Sequence, residues 1–480
     1  MRVSLVNPPV LASGSGGQAL GRSLYFNSPP LGLAYLGAVL EREGLPVQIV
    51  DAAVERLDLD GAVRRVRRFD PDVIGLTATT FGFPSARALA GRLRERLPGV
   101  PLILGGPHVT YDTHTALAEA REFDLGVVGE GEELLPQLMR ELDRGTAPRA
   151  LAGFRGLAYA VSDEIHFTGA APDVRQLDTL PLPARHLLPL HLYRPQPVDQ
   201  RELPKMAQLT SRGCPYLCTF CEKAQTGYRS HSPERIVDEM FHLHRDHGGR
   251  DVAFVDSMFA VSQKRLDRVC DEMERRPPPL TWTCTVRANS VTREMLARMK
   301  ATGCWRVRLG IESGSPRVLA GIHKDVSLDQ VRDAVTWADE LGLQPKAFFI
   351  VGHFGDTLQT IQETMDFACS IPLSDITVQL NTPLKGTEQY EMCVRSPGYR
   401  GDSIGAQNFF TPVFVPDGMT EQQLVDAWHR FYRTFYLRPV TVKRHLREVR
   451  RWSDVRRYLQ SLDLLAFLFS GSGTRPPQEV

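Results

Sequence analysis

What the chain lacks bounds it first. Its 57 Lys and Arg stand against 56 Asp and Glu, a formal net charge of +1 with a sequence pI of about 7.7. No surplus of either sign marks a nucleic-acid-binding surface. No run of about 18 apolar residues occurs, which leaves no candidate membrane-spanning helix. The opening Met1-Arg2-Val3-Ser4-Leu5-Val6-Asn7-Pro8-Pro9 has neither the apolar stretch nor the small-residue cleavage site of a signal peptide, and it reads as a strand entering a turn. A disulfide framework is also missing: of eight cysteines, five are scattered (Cys270, Cys284, Cys304, Cys369, Cys393). A reducing compartment, the cytoplasm, is the expected location. The remainder is ordinary for a globular protein, with 42% hydrophobic and 24% charged residues and a length, 480 residues, that suits about three domains.

The other three cysteines fall together in Ser211-Arg212-Gly213-Cys214-Pro215-Tyr216-Leu217-Cys218-Thr219-Phe220-Cys221. Thiolates spaced C-x3-C-x2-C on one loop can ligate three irons of a [4Fe–4S] cluster, leaving the fourth iron open for chemistry. A zinc knuckle is the competing reading, but zinc sites pair C-x2-C with a second pair further on, and none follows here.

Before this loop, residues 1–145 alternate β-branched runs with helical patterns. Strands are expected at Val3–Val6, Val47–Val50, Val73–Thr77, Leu102–Leu104 and Leu125–Val128, with helices near Leu31–Glu43, Ala62–Phe69, Ser85–Leu97, His114–Glu122 and Glu132–Leu142. That pattern predicts a doubly wound Rossmann-like α/β domain, whose ligand lies beyond the carboxyl ends of the strands. Three such ends stand out: Thr77-Ala78-Thr79-Thr80-Phe81, Gly105-Gly106-Pro107-His108 and Gly129-Glu130-Gly131-Glu132. Each also has a plain reading, as turn-forming hydroxyls, a tight turn and a helix entry.

Residues 146–204 contain a possible small hairpin (153–160 and 165–168) and then the proline-rich Leu180-Pro181-Leu182-Pro183, which suits an extended linker. Alternation resumes over 205–400, with strands expected at Met206–Thr210, Val252–Asp256, Thr281–Arg287, Arg306–Ile311, Ala347–Val351 and Ile376–Leu380. Six βα repeats place any chemistry at the strands' carboxyl ends. There lie Asp256, Arg287 and the run Gly310-Ile311-Glu312-Ser313-Gly314. Asp256 has two readings, a ligand to an ammonium group or a cap on the next helix. Arg287 likewise either pairs with a ligand carboxylate or forms a salt bridge with Glu312.

The cysteine loop, with Phe220 just before its third cysteine, resembles that of the radical S-adenosylmethionine (SAM) enzymes. The strand ends before it resemble the cobalamin-binding domain, as does Pro29-Pro30-Leu31-Gly32-Leu33 the segment preceding that domain's first helix. Together they resemble the cobalamin-dependent radical SAM enzymes over residues 1 to about 440. The resemblance implies a partial (β/α)6 barrel over 205–400, a cluster on Cys214, Cys218 and Cys221, and a SAM site including Phe220, Asp256, Arg287, Gly310, Glu312 and Ser313. It implies cobalamin against Pro30, Leu31, Thr77, Thr79, Thr80, Gly105, Gly106, Pro107, His108, Gly129 and Glu130. It departs from the cobalamin mutases, which carry a cobalt-ligating histidine near the first strand, because the first histidine here is His108. Cobalamin is therefore expected with its base displaced and no histidine as lower ligand. Phe348–Thr357 resembles the family's adenine-supporting turn, with His353 and Phe354 in place of the usual residues.

Residues 401–480 read as helical, with Thr420 as a cap and a basic amphipathic run at 443–457 that is either a solvated face or a peripheral membrane contact. The end, from Gly471, is expected to be disordered. The resemblance implies C-methylation of a small-molecule or lipid substrate by a 5′-deoxyadenosyl radical and methylcobalamin, with an external donor such as flavodoxin or ferredoxin. Its alternatives are radical cyclisation, as in the anaerobic magnesium-protoporphyrin ester cyclases, and a cobalamin-binding sensor without catalysis.

Overall fold

The computed structural model describes residues 1–10, 28–146, 151, 153–162, 164–223, 226–401 and 411–449. The expected disordered tail and most of the basic run at 443–457 lie outside them. The chain divides into two compact units at Arg194/Pro195, within the segment read as a linker.

The first unit is built on seven strands: β1 (Val3–Asn7), β2 (Val47–Asp51), β3 (Val73–Thr77), β4 (Leu102–Gly105), β5 (Leu125–Val127), β6 (Leu157–Val161) and β7 (Glu164–Phe167). Their order is β2-β1-β3-β4-β5-β6-β7. The first five are parallel, and the hairpin β6–β7 extends the sheet antiparallel from β5. Adjacent residues of one strand feed different cores: Leu5, Ile49 and Ile103 pack on one face, Val6, Val50 and Leu104 on the other. Both faces being covered explains why these strands are continuously apolar. Helices Leu31–Arg42, Leu59–Phe69, Phe83–Arg96 and Leu134–Asp143 supply the cover. The helix expected near 114–122 is Thr113–Glu119, and a further short helix, Pro107–Tyr111, precedes it.

The second unit has β8 (Lys205–Gln208), the antiparallel pair β9 (Ser211–Cys214) and β10 (Thr226–Ser230), then β11 (Asp251–Phe254), β12 (Thr281–Val286), β13 (Cys304–Glu312), β14 (Gln344–Val351) and β15 (Asp375–Leu380). The main sheet runs β15-β14-β13-β12-β11-β8, all parallel, the partial barrel expected from the sequence. Side chains alternate across it. Trp282, Cys284, Val286, Val307, Leu309 and Ile311 enter the core shared with the helices, leaving Thr283, Thr285, Arg306, Arg308 and Gly310 for the inner face.

A half-barrel has open edges, and unpaired strand edges invite association. The edge strand β15 is closed by side chains. Thr420 caps helix Glu421–Tyr436, receiving the Gln423 N–H in a reciprocal capping box. From that helix, Tyr432 Oη accepts from Val378 N–H at 2.8 Å and donates to Val378 C=O at 2.9 Å, while Trp428 Nε1 donates to the same carbonyl at 2.9 Å. Aromatic side chains thus stand in for a seventh strand. Among the described residues, no helix is long and apolar enough to cross a membrane.

Candidate functional site: the cysteine loop and the strand ends

The cysteine loop is closed at its base. Gly213 has φ +83°, and a Cβ there would meet Gly227 O at 2.1 Å, so only glycine lets β9 and β10 approach this closely. Thr226 Oγ1 accepts from Cys214 N–H at 3.0 Å and donates to Lys223 C=O at 2.8 Å, tying the loop's two ends. Thr219 anchors its middle, donating to Ile322 C=O at 3.1 Å and accepting from Gln389 N–H at 2.9 Å. Cys218 is buried, Cys214 and Cys221 half-buried. Burial pushes the Cys214 and Cys221 thiols up, and each also feels its neighbouring cysteines. Two donors reach the sulfurs: Lys223 N–H toward Cys221 Sγ at 3.4 Å and Arg287 Nη1 toward Cys218 Sγ at 3.5 Å. Among the described residues, no three His, Cys, Asp or Glu side chains converge as ligands of a single metal ion. An iron–sulfur cubane makes no such demand, because each thiolate takes a different iron.

Asp256, at the end of β11, is wholly engaged with the strand leading into the loop. It accepts from Thr210 N–H at 2.6 Å, Ser211 N–H at 3.1 Å and the Thr210 hydroxyl. Burial pushes its carboxyl up against these hydrogen bonds and the nearby Arg265. The following helix, Gln263–Arg275, is capped by Ser262. Arg287 does not take Glu312 as its partner: its guanidinium stacks 4.0 Å from the Tyr216 ring centroid and donates to Asn289 Oδ1 at 3.1 Å. Its Nη2 is buried without a hydrogen-bond partner among the described residues.

Glu312 pairs instead with Lys324, at 2.8 Å, both side chains less than a tenth exposed. It stands at a register shift between β13 and β14 and adopts φ +70°, a conformation that costs a non-glycine residue about 1–3 kcal/mol. Gly310 makes the room, since a Cβ there would meet Glu312 Oε1 at 2.5 Å. Ser313 shares a hydrogen bond with Thr364 at 2.9 Å and receives Ser315 N–H at 3.1 Å. Phe220 packs on Val318, Leu319 and Ile322, with its ring 5.5 Å from that of His353.

Asn381, Gln389 and His353 form a directed chain. The Gln389 amide donates to Asn381 Oδ1 at 2.6 Å, and its carbonyl faces His353 Nδ1 at 3.0 Å. A carbonyl only accepts, so Nδ1 carries the proton and Nε2 is left as an acceptor. Nε2 is fully buried with no partner among the described residues, and burial pushes the imidazole pKa down. Two buried polar atoms beside the cysteine loop, Arg287 Nη2 and His353 Nε2, therefore fit a polar ligand held there, because such groups are rarely left unmade. Lys324, Gln389 and Tyr216 were not singled out in the sequence. Lys324 and Gln389 lie far from the cysteines along the chain, and no spacing rule connects them.

In the first unit, two of the expected loops touch. Ala78 N–H donates to Gly105 C=O at 2.9 Å and His108 N–H to Ala78 C=O at 3.0 Å. Gly106 has φ +95°, and a Cβ would meet Thr77 Oγ1 at 2.6 Å and Ala78 O at 2.8 Å. Thr79 receives Gly82 N–H at 3.1 Å. His108 is buried, 4.0 Å from the Phe83 ring and 3.4 Å from Thr80 Oγ1. Pro30 and Leu31 open the first helix. Gly129 N–H donates to Thr110 Oγ1 at 3.2 Å, and Glu130 accepts from Val174 N–H at 2.7 Å. Thr77, Gly105, Gly106 and Pro107 remain half-exposed, a rim of small residues and backbone that fits a broad, flat ligand.

The B12 binding domain family matches residues 17–139 and the Radical SAM superfamily residues 209–368. An uncharacterized methyltransferase of Pyrococcus horikoshii is 31% identical over 442 residues, 92% of this chain and 93% of the relative. An anaerobic magnesium-protoporphyrin IX monomethyl ester cyclase of Cereibacter sphaeroides is 29% identical over 91% of this chain and 71% of its own length. The structure of the radical S-adenosylmethionine methyltransferase TsrM from Kitasatospora setae superimposes with a TM-score of 0.70 at 19% identity, covering 97% of this chain and 99% of that one.

Proposed function

The chain belongs to the cobalamin-dependent radical SAM family, and from that premise we propose that it methylates an unactivated carbon of a small-molecule or lipid substrate. The observation that carries the reading is the intact cysteine triad on a loop flanked by two buried polar atoms without partners among the described residues. When bound, the cluster and SAM supply a radical that removes a hydrogen atom, cobalamin supplies the methyl group, and a second SAM restores it.

Cys214, Cys218 and Cys221 would hold three irons, with Arg287 and Lys223 donating toward the Cys218 and Cys221 sulfurs. Arg287 offers its spare Nη2 to the SAM carboxylate. Glu312, fixed by Lys324, receives a hydroxyl or ammonium donor, and Phe220 and His353 border the same place. Gly310 acts by leaving space and Ser313 by holding the turn. Asp256 orients the strand that feeds the loop; its contacts support positioning more than ligand binding. In the first unit, Thr77, Gly105, Gly106 and Pro107 present backbone to cobalamin, with Pro30, Leu31, Thr79, Thr80, Gly129 and Glu130 shaping the surrounding turns. His108 is committed to Phe83 and Thr80, which supports cobalamin without a histidine lower ligand. An external donor such as flavodoxin or ferredoxin delivers electrons, in the cytoplasm.

Oxidative cyclisation is the second reading, favoured by the similarity to the magnesium-protoporphyrin ester cyclase. Anaerobic turnover with methyl-deuterated SAM separates the two. Methyl transfer gives label in the product together with 5′-deoxyadenosine and S-adenosylhomocysteine; an altered product without label turns the assignment to cyclisation.

A further inference from the structure

The inner face of the half-barrel ends in a buried ionic floor. Arg306 pairs with Asp199 at 2.9 Å and Asp375 at 3.6 Å, Lys346 with the same two at 3.1 and 3.3 Å, and Lys205 with Asp251 at 3.1 Å. These three cations thus satisfy three carboxylates. Arg308 is a fourth cation, register-paired with Thr285 on one side and Lys346 on the other. It is half-buried and donates to Thr283 Oγ1 at 3.1 Å, and no carboxylate of the described residues lies within ion-pair distance.

The floor registers the surplus charge. Burial pushes the Asp199 carboxyl up, yet Lys346, Arg308, Arg306 and Lys205 together hold it well below the usual carboxylate range. Burial pushes the Lys205 ammonium down, and Arg308 adds to that against Asp251. Above the floor, the inner face is open: Thr285, Phe348, Ile350, Thr377 and Gln379 are half-buried and Val255 is exposed. Arg308 lies four residues below Glu312, about 13 Å of strand, and so apart from the strand-end groups.

We propose that Arg308 anchors the methyl acceptor by an oxyanion, a carboxylate or a phosphate, so that the substrate is an acid and not a neutral lipid. The proposal rests on the methyl-transfer reading for what happens at the other end of that substrate. A planar guanidinium with spare donors pairs with either group through two parallel hydrogen bonds. Among the described residues the floor sets four cations against three carboxylates, and such an anion would balance the fourth. Hydroxyls at Thr285 and Thr377 and the Phe348 ring suit a molecule with polar and apolar parts.

The test treats the full-length reconstituted protein with phenylglyoxal and reads each arginine by peptide mass spectrometry, with buried Arg306 as the internal reference. Arg308 is expected to react, and to be protected about tenfold or more by benzoate or phenyl phosphate but not by benzamide. Which anion protects decides between carboxylate and phosphate. An unreactive Arg308, or equal protection by benzamide, overturns the anchor. A second arm captures the deuterium-labelled product from a metabolite extract. A labelled product lacking any acidic group overturns the anchor and leaves methyl transfer standing. Failure to label anything while Arg308 is still protected overturns methyl transfer and leaves the anchor. With the acceptor in hand, R308Q is expected to raise its KM about 100-fold with a smaller change in kcat, and R308K to recover part of the loss; equal KM in all three also overturns the anchor.

Discussion

The two units place their loops at the same ends of parallel strands and treat polar groups there differently. In the first, the loops satisfy one another: Ala78 with Gly105, His108 with Ala78, Thr79 with Gly82, Glu130 with Val174. Little is left but backbone and small side chains, a finished surface on which a large cofactor can rest. In the second, Arg287 and His353 keep buried atoms in reserve, and charge is sunk into the sheet at Glu312–Lys324 and on the floor. Such a site is incomplete by construction. Binding a preformed ligand and activating one therefore call for opposite treatments of the same strand ends.

The largest test of that contrast removes a thiol. Cys218→Ala is expected to abolish deoxyadenosine formation and the cluster's visible absorbance while cobalamin retention by the first unit persists; loss of cobalamin as well would break the comparison. Next, Lys324→Met leaves Glu312 buried and unpaired, and should cost about 3–5 kcal/mol in urea unfolding of the second unit. The reverse experiment is Gly106→Ala. Forced into φ +95° against Thr77 and Ala78, the new Cβ should cost the first unit about 1–3 kcal/mol and its cobalamin, with SAM cleavage retained.

The smallest effect is a pH dependence. His353 is held below its ordinary value of 6.5 by burial, partly offset by Gln389. The native state thus resists its protonation, so the stability linked to it is complete above 6.5 and is lost as pH falls through the depressed value. Urea midpoints of the wild type relative to His353→Gln should fall toward acid; a flat difference would sink this account.

Much of the architecture was legible because each signal was local. β-branched runs located the strands of both sheets, and Cys214 to Cys221 span eight residues. What escaped depends on contacts between distant positions. Lys324 sits twelve residues beyond Glu312 and is recognisable only once the strand end turns back. Arg308 belongs to no motif, and only alternation along β13 places it opposite Val307 and Leu309, on the face without helices. Asp256 was ambiguous because a carboxylate at a strand end serves ligand, cap or neighbouring backbone equally well, and only its hydrogen bonds to Thr210 and Ser211 distinguish these. The C-terminal helix carried no motif, yet Tyr432 and Trp428 close the sheet's edge.

Glu312 carries a wider consequence. Its left-handed backbone and its buried partner are both costs that glycine at 312 and methionine at 324 would remove. A population of this protein bred only for resistance to heat should drift toward that pair of changes and become durable and silent. On the role proposed above for Glu312, durability and chemistry compete at this one strand end.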